Sequence, residues 1–593
     1  MKNRWLYKMD LTSATVLRRR LKQKDSLNER LQTFLIILIL LTFIALLVLP
    51  LSALFSQTVF DHQGKFVGLQ NFIAYFQTAS LVTSLQNTLF ISLMTMIISV
   101  SLAFFYAYSL TRTEIAGKTI FRYSALLPLF APTMMHGIAL MYLFGNQGII
   151  TNGFFGYLPG IDIELYGATG IIIAEVIYTF PQAFLILFIT LQQTDYRLYE
   201  AADSLGTKKG KQFLTITLPS AKYGLISSMF IVFTLSFTDY GAPKVVGGQY
   251  NVLATDIYKQ VVGQQNLSMG AAVGVLLMLP ALLAFLVDQL TQQKQSSYLS
   301  AKSIPYKIVK NKLRDRFAFF YCMIISGFFL LMFLAVVIAA CTKMWPYNLS
   351  FTLDHFTFTS LSGDGLIAFK NSLIASALTA VFGTIITFIF AYVIEKSRKH
   401  QSLRKVGNLF SIIPLALPGL VIGISYIFFF SKPEFSIFGM TIGNPLHFLY
   451  GSIAIIVIAN ILHFYSVAFV TATTALKKLD KEFELVSESM GVPFYKTFFR
   501  VTVPMCIPAI LEMGMYYFVN SMVTISAVVF LYTADFKLAA ISIVNMDDAG
   551  NLASAAAMSV LIVLTNILVR VLYEIAVKRM KSNSKNRKYQ EAA

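Results

Sequence analysis

Charge is the scarcest commodity in this chain. Asp, Glu, Lys and Arg make up only 13% of its 593 residues, against 56% hydrophobic residues and 52 phenylalanines. A soluble fold cannot hide that much apolar surface, so the bilayer is the expected solvent. Tryptophan, histidine and cysteine are also few, at two, six and three residues. Cys322, Cys341 and Cys506 show no metal-ligand spacing and read as buried thiols, so no metal site is expected. No stretch reads Gly, four residues, Gly-Lys-Ser/Thr, and no paired carboxylates or nucleophile constellation appear, which excludes a nucleotide-hydrolysing or other enzymatic role on sequence grounds. No cleavable leader is expected either: a polar, basic N-terminal stretch precedes an apolar run too long for a signal-peptide core.

What charge there is has a pattern. The net charge of +19 comes from basic residues that flank apolar runs, so it does not describe a nucleic-acid surface. No charge occurs between Arg30 and Asp61, ample for one helix across roughly 30 Å of hydrocarbon. Further runs lie near Leu89–Leu110, Tyr123–Phe144, Ala168–Leu191, Gly224–Tyr240 and Gly270–Val287. A second series follows near Phe317–Thr342, Leu373–Ile394, Leu409–Phe430, Ser452–Thr471, Pro508–Tyr532 and Ala553–Val569. The expected fold is an all-α polytopic membrane protein with twelve transmembrane helices, because lipid satisfies no free backbone group. With both termini on one side, all but seven of the 48 Lys and Arg fall on that side; the exceptions are Lys65, Lys244, Lys259, Lys343, Lys370, Lys432 and Lys537. The positive-inside rule makes that side cytoplasmic.

The chain is also a duplication. Glu200-Ala201-Ala202 runs to Gly206, and Leu218-Pro219 follows. Leu485-Val486-Ser487 runs to Gly491, and Val503-Pro504 follows at the same spacing. Asn87 matches Asn371, Pro128 and Pro132 match Pro414 and Pro418, and Gly137 matches Gly423. An even number of spans per half gives the halves one orientation, related by a pseudo-two-fold axis along the membrane normal. The expected organisation is a basic N-terminus (1–32), a first half (33–288), a linker (289–316), a second half (317–577) and a basic tail (578–593). The linker, rich in Gln, Ser and Lys, reads as a solvated tether, and the four prolines read as kinks in the third and ninth spans.

The repeated polar segments resemble the EAA loops of permease subunits of type I ABC importers, whose pattern is Glu-Ala-Ala, three residues, Gly, then a hydrophobic-Pro pair. The first copy matches in full; the second has Leu485 in place of Glu, with Glu484 and Glu488 alongside. The resemblance implies a type I importer fold of two parallel six-helix repeats in a bacterial inner membrane. It implies two copies of an ATPase, which would bind ATP and Mg²⁺, and an external solute-binding protein; no cofactor is expected in this chain. The implied docking residues are Glu200, Ala201, Ala202, Gly206, Leu218 and Pro219 in one loop, and Glu484, Glu488, Gly491, Val503 and Pro504 in the other. The fused length resembles the ferric-iron and 2-aminoethylphosphonate branches, and the stretch Asp239 to Gly248 looks most like the 2-aminoethylphosphonate type, so the resemblance implies that compound or a related phosphorylated anion, or else ferric iron, as cargo.

Polar residues inside spans are costly and mark a path as readily as a packing site. Glu175, its repeat mate Asn460, His136, His463 and Asp239 are the translocation-path candidates, while Glu512 is expected near the cytoplasmic interface. The competing reading is an ion-gradient-driven carrier with Glu175 and His136 as a proton relay. The paired loops argue against it, since such a carrier needs no ATPase docks.

Overall fold

The computed structural model describes residues 27–61, 65–298, 304, 306–358, 366–397, 401–437, 440–480 and 482–591. The basic N-terminal segment before Leu27 lies outside them, as do the last two residues of the tail. The membrane-length helices of the first half are α1 (Glu29–Thr58), α2 (Ala79–Arg112), a bent pair α3 (Lys118–Phe130) and α4 (Thr133–Phe144), α5 (Ala168–Gln192), then after a short helix α6 (Arg197–Ser204), α7 (Lys209–Thr238). Two short helices, α8 (Gly241–Val246) and α9 (Leu253–Tyr258), precede α10 (Leu267–Tyr298). The second half repeats the series: α11 (Lys312–Ala340), α12 (Ile367–Lys396), the bent pair α13 (Gln401–Ala416) and α14 (Gly419–Phe430), α15 (Ile453–Lys477), α16 (Glu482–Ser489), α17 (Phe494–Val523), α18 (Ala539–Asp548) and α19 (Leu552–Glu591). Two small antiparallel hairpins, Thr342–Met344 with Asn348–Phe351 and Glu434–Ile437 with Met440–Gly443, decorate the second half.

Among the described residues ten helices are long and apolar enough to cross a membrane, and counting each bent pair as one span gives up to twelve. The prolines do more than kink. The pairs turn through 106° and 107°, a right-angle break at each equivalent place. Ala131 and Leu417, which precede Pro132 and Pro418, are extended, as the clash with the proline ring requires. Each break begins with a 3₁₀ turn carrying Pro128 or Pro414 near its start, where a missing N–H costs nothing. The eleventh span also ends earlier than hydropathy suggests. α17 stops at Val523, and residues 525–531 continue as buried non-helical backbone packed beside α14, where Gly423 leaves no room for a side chain next to the Ala527 carbonyl.

The first span of each half packs on the other half. α1 lies against α12, α13 and α14, and α11 against α2, α3 and α4. In a bilayer such contacts rest on shape and on satisfied polar groups rather than on apolar transfer. The Tyr106 hydroxyl, fully buried, donates to the Phe121 carbonyl at 2.8 Å and meets the Ser326 hydroxyl of α11 at 2.7 Å. Tyr321 of α11 donates to the Leu102 carbonyl at 2.8 Å, and Phe43 of α1 packs edge-on against Tyr465 of α15. Asn87 and Asn371 perform one task twice: Asn87 donates to the Asn251 carbonyl and Asn371 to that of Asp535, tying α2 and α12 to the segments before α9 and α18.

The linker is not a free tether over its described length. Ile304 and the segment from Tyr306 lie against α6 and its approach, because Tyr306 offers an aromatic face to a buried arginine.

Replacing Tyr106 with Phe leaves the Phe121 carbonyl and the Ser326 hydroxyl short of a partner inside the interlock. We expect a loss of about 0.5–1.5 kcal/mol, measured as a lower unfolding midpoint of the detergent-solubilised chain, with Ser326→Ala adding little once Tyr106 is gone.

Two matched loops and a cavity between the halves

The two repeated loops have the same backbone. α6 ends in a left-handed glycine, Gly206 at φ 67°, and α16 ends in Gly491 at φ 69°. In the first loop the Gly206 N–H reaches the Asp203 carbonyl and the Thr207 N–H that of Ala202; in the second, Gly491 reaches Glu488 and Val492 reaches Ser487. These pairs are a Schellman closure, which satisfies the last carbonyls of a helix and needs a residue without a Cβ penalty at the turn. Asp203 then ties the turn to the following helix, accepting from Lys209 and from Gln212 at 2.6 Å each, so its carboxyl is held below its ordinary pKa chiefly by the Lys209 bond.

Leu218-Pro219 and Val503-Pro504 sit within continuous helices and do not end them. A single wide turn precedes each, Phe213–Thr217 and Phe498–Thr502, and the helix runs on unbroken in direction. The cause is local: proline supplies no N–H and crowds the preceding turn, and a π-turn relieves both. α7 and α17 are therefore 30-residue rods, about 45 Å long at 1.5 Å per residue, that start in the loops.

Each loop exposes an apolar ridge. Leu198, Ala201 and Leu205 recur at i, i+3 and i+7; Phe483, Val486 and Met490 stand at the same places 285 residues on. Leu205 is 83% exposed and Met490 73%. Glu200 and Glu488 are exposed beside these ridges and Ala202 is half-buried, while Glu484 turns inward to pair with Lys396 at 3.1 Å. Leu218 and Pro504 are exposed and Val503 half-buried. Around the second ridge lies an open groove of about 750 Å³, lined among others by Phe483, Val486, Met490, Lys496 and Arg500. The ridges were legible in the sequence only as spacing that survives where the glutamate is lost.

At their far ends both rods stop in one place. α7 gives way to Asp239 and α17 to Thr524, each with extended backbone. These two residues, with Thr133, Tyr178, His463 and Asn520, line a cavity of about 100 Å³ between the halves. Equivalent positions face it from both sides: Tyr178 corresponds to His463, Asp239 to Thr524, Gly241 to Ser526. The cavity therefore sits on the pseudo-two-fold axis. Asp239 accepts from the Ala242 N–H at 2.9 Å, and no Lys or Arg is among the lining residues.

Of the sequence candidates, Asp239 and His463 line this cavity. Glu175 is fully buried beside Asp239, the two carboxyl groups close enough to share a hydrogen bond. Asn460 is equally buried and donates to Ser521 at 2.8 Å, bridging α15 and α17. His136 is buried within α4, and Glu512 is exposed on α17. Tyr178, Gln182, Thr133 and Asn520 were not singled out from sequence; the Tyr178–His463 match at the repeat offset was the available signal. Among the described residues no three His, Cys, Asp or Glu converge to hold a metal ion.

A further tie between the halves lies at the opposite end from the loops. Lys244 after α7 pairs with Asp548 of α18 at 2.6 Å.

Two segments of the chain, residues 99–297 and 383–582, match the family model described as the binding-protein-dependent transport system inner membrane component. The chain belongs to that family, and carries its permease unit twice. It is 28% identical over 552 residues to the ferric transport system permease protein FbpB of Actinobacillus pleuropneumoniae, covering 90% of this chain and 76% of that one. It is also 28% identical over 523 residues to a putative ferric transport system permease protein FbpB 1 of Haemophilus influenzae, covering 85% and 78%. It is thus a fused, double-length permease of the type I importer class.

Burial first, then the charge of Asp548, lifts the Asp547 carboxyl to about 6 from its ordinary 3.8, with Lys244 opposing. The packed state thus holds this proton more tightly than the unfolded chain. Its contribution to stability is complete below about 3.8 and is lost as the pH rises through about 6. Melting curves across that window should show the loss, and Asp547→Asn should flatten it; an unchanged slope in the variant counts against the assignment.

Proposed function

We propose that the chain forms the whole transmembrane pathway of an ATP-driven importer, with the loops at residues 195–217 and 480–502 in the cytoplasm, each gripped by one copy of an ATPase. The observation that carries this reading is the matched pair of exposed apolar ridges, each at the head of a rigid helix whose other end lines the shared cavity. Ridge and left-handed glycine form a knob for a groove on the motor; Glu200 and Glu488 flank it as polar contacts. ATP and Mg²⁺ belong to that motor, and a solute-binding protein delivers cargo to the opposite face. The basic loops on the docking side support this orientation.

For the cargo we favour ferric iron over an anionic phosphonate. Burying Asp239 and Glu175 together without a cationic partner is expensive; a proton held between the two carboxyls relieves part of that cost, and a passing cation would offset the rest. A phosphonate would meet repulsion at the same place. Carboxylate, phenol and imidazole from Asp239, Tyr178 and His463 are hard or borderline donors suited to iron. That no third carboxylate or thiolate closes around them suits a passage rather than a trap. The relatives named as ferric transport permeases point the same way.

Leu205→Asp should cut ATPase co-purification at least about tenfold, the equivalent of losing one buried leucine at 1.5–3 kcal/mol, and Met490→Asp should do the same at the second site. Charge reversal at Glu200 combined with Gly206→Val should abolish it, and unchanged yields would remove the docking reading. In vesicles bearing the assembled transporter, Asp239→Asn should slow uptake of binding-protein-delivered ferric iron at least about tenfold, the loss expected for one charge contact in a desolvated site. Transport of 2-aminoethylphosphonate with indifference to Asp239 would overturn the cation reading.

A further inference from the structure

The two docking loops are latched to the membrane body by different chemistry, and among the described residues only the first is latched by the segment that joins the halves. At the end of α2, Arg112 is 2% exposed and donates to the Leu191 carbonyl at 2.8 Å. Its guanidinium lies over the ring of Tyr306 at 4.1 Å and over that of Tyr199, on α6, at 5.5 Å. Tyr306 in turn meets Tyr199 and Tyr196 edge-on, with centroids 4.9 and 5.4 Å away. The backbone follows: the Tyr196 N–H donates to the Ile304 carbonyl at 3.0 Å, and the Ile304 N–H reaches Asp195 at 3.4 Å. Further along, Lys310 pairs with Glu114 at 3.4 Å. In the second half Lys396 takes the place of Arg112 and Glu484 that of Tyr199, and the latch is the 3.1 Å ion pair.

We propose that Ile304 and residues 306–310 form a strap that holds the first docking helix against the end of α2, with Tyr306 as its positioning residue. The proposal rests on the docking reading. A guanidinium stacked on an aromatic face in a partly dry site is held without a counter-ion, so the first loop keeps its angle when the motor pulls. The strap begins where α10 has ended and runs into α11, which packs on the first half, so a movement of the first loop is passed to both. The second loop, held at the equivalent point by the ion pair and by a 3.5 Å hydrogen bond from Lys396 to the Leu479 carbonyl, moves with its own half.

The test uses the complete chain with its ATPase in lipid nanodiscs. Tyr306→Ala should lower ATP turnover of the assembled complex about fivefold to tenfold, the loss of one desolvated cation–π contact, while the ATPase stays bound because both docking ridges are intact. Tyr306→Phe keeps the ring and should stay within twofold of the parent. In a chain freed of Cys322, Cys341 and Cys506, the pair Tyr196→Cys with Tyr306→Cys should show the alanine defect, and a short thiol cross-linker should restore turnover. Parental turnover in a folded Tyr306→Ala complex, or a cross-link that restores nothing, overturns the strap. A parent chain that binds no ATPase would instead overturn the docking reading beneath it.

Discussion

Backbone that stops being helical inside a bilayer must find its hydrogen bonds in protein, and both halves of this chain stop in the same places. The breaks at Ala131-Pro132 and Leu417-Pro418, and the helix ends at Thr238 and Val523, bring four non-helical stretches to the midline between the halves. They survive there because, beside the cavity, neighbouring segments pack closely at glycines. Gly137 leaves no space for a side chain against Val245, and Gly423 none against the Ala527 carbonyl. One crowded contact is solved twice with the parts exchanged: Gly241 faces Thr133 in the first half, and Gly419 faces Ser526 in the second. One member of each pair must be glycine, and the repeat offset shows that it need not be the same one.

This constraint sets the mechanics. Because the breaks are buried and close-packed, they are poor places for a helix to bend gradually, whereas α7 and α17 are straight rods that begin in the loops and end at the cavity. A displacement of a loop is therefore delivered at Asp239 or Thr524, roughly 45 Å away by helix rise. The wide turns ahead of Pro219 and Pro504 keep each rod continuous where an uncompensated proline would have broken it. The interlocked first spans, α1 on the second half and α11 on the first, oblige the halves to move as a coupled pair.

Much of this was legible in the sequence. Hydropathy located the spans, and one offset of 284 to 286 residues located the equivalent elements. Three features were not, each for a physical reason. Hydropathy counts apolar residues and is blind to their path, so a right-angle turn at Pro132 and buried non-helical backbone after Val523 both look like helix. A polar residue in a span announces cost but not direction, so Asn460, which bonds Ser521 across two helices, looks like Asp239, which lines the cavity. The linker's Gln, Ser and Lys content signalled solvation, yet one tyrosine opposite a buried arginine outweighs that composition.

The second loop shows why the glutamate of the motif is a poor guide. Its place is taken by Leu485, and the neighbouring Glu484 is spent on Lys396. What persists in both loops is the left-handed glycine, the paired carbonyl closure and the apolar residue just before it. Those three fix a shape, a blunt apolar knob at a set angle to a rod, and a shape can be recognised without a charge. Charge asymmetry is then free to differ between the halves, and it does so at both ends of the rods. The first half contributes Asp239 and an arginine–aromatic latch; the second contributes Thr524 and a lysine–glutamate latch. The duplication thus keeps the backbone of the two loops and rods alike while letting the side-chain chemistry at both of their ends diverge.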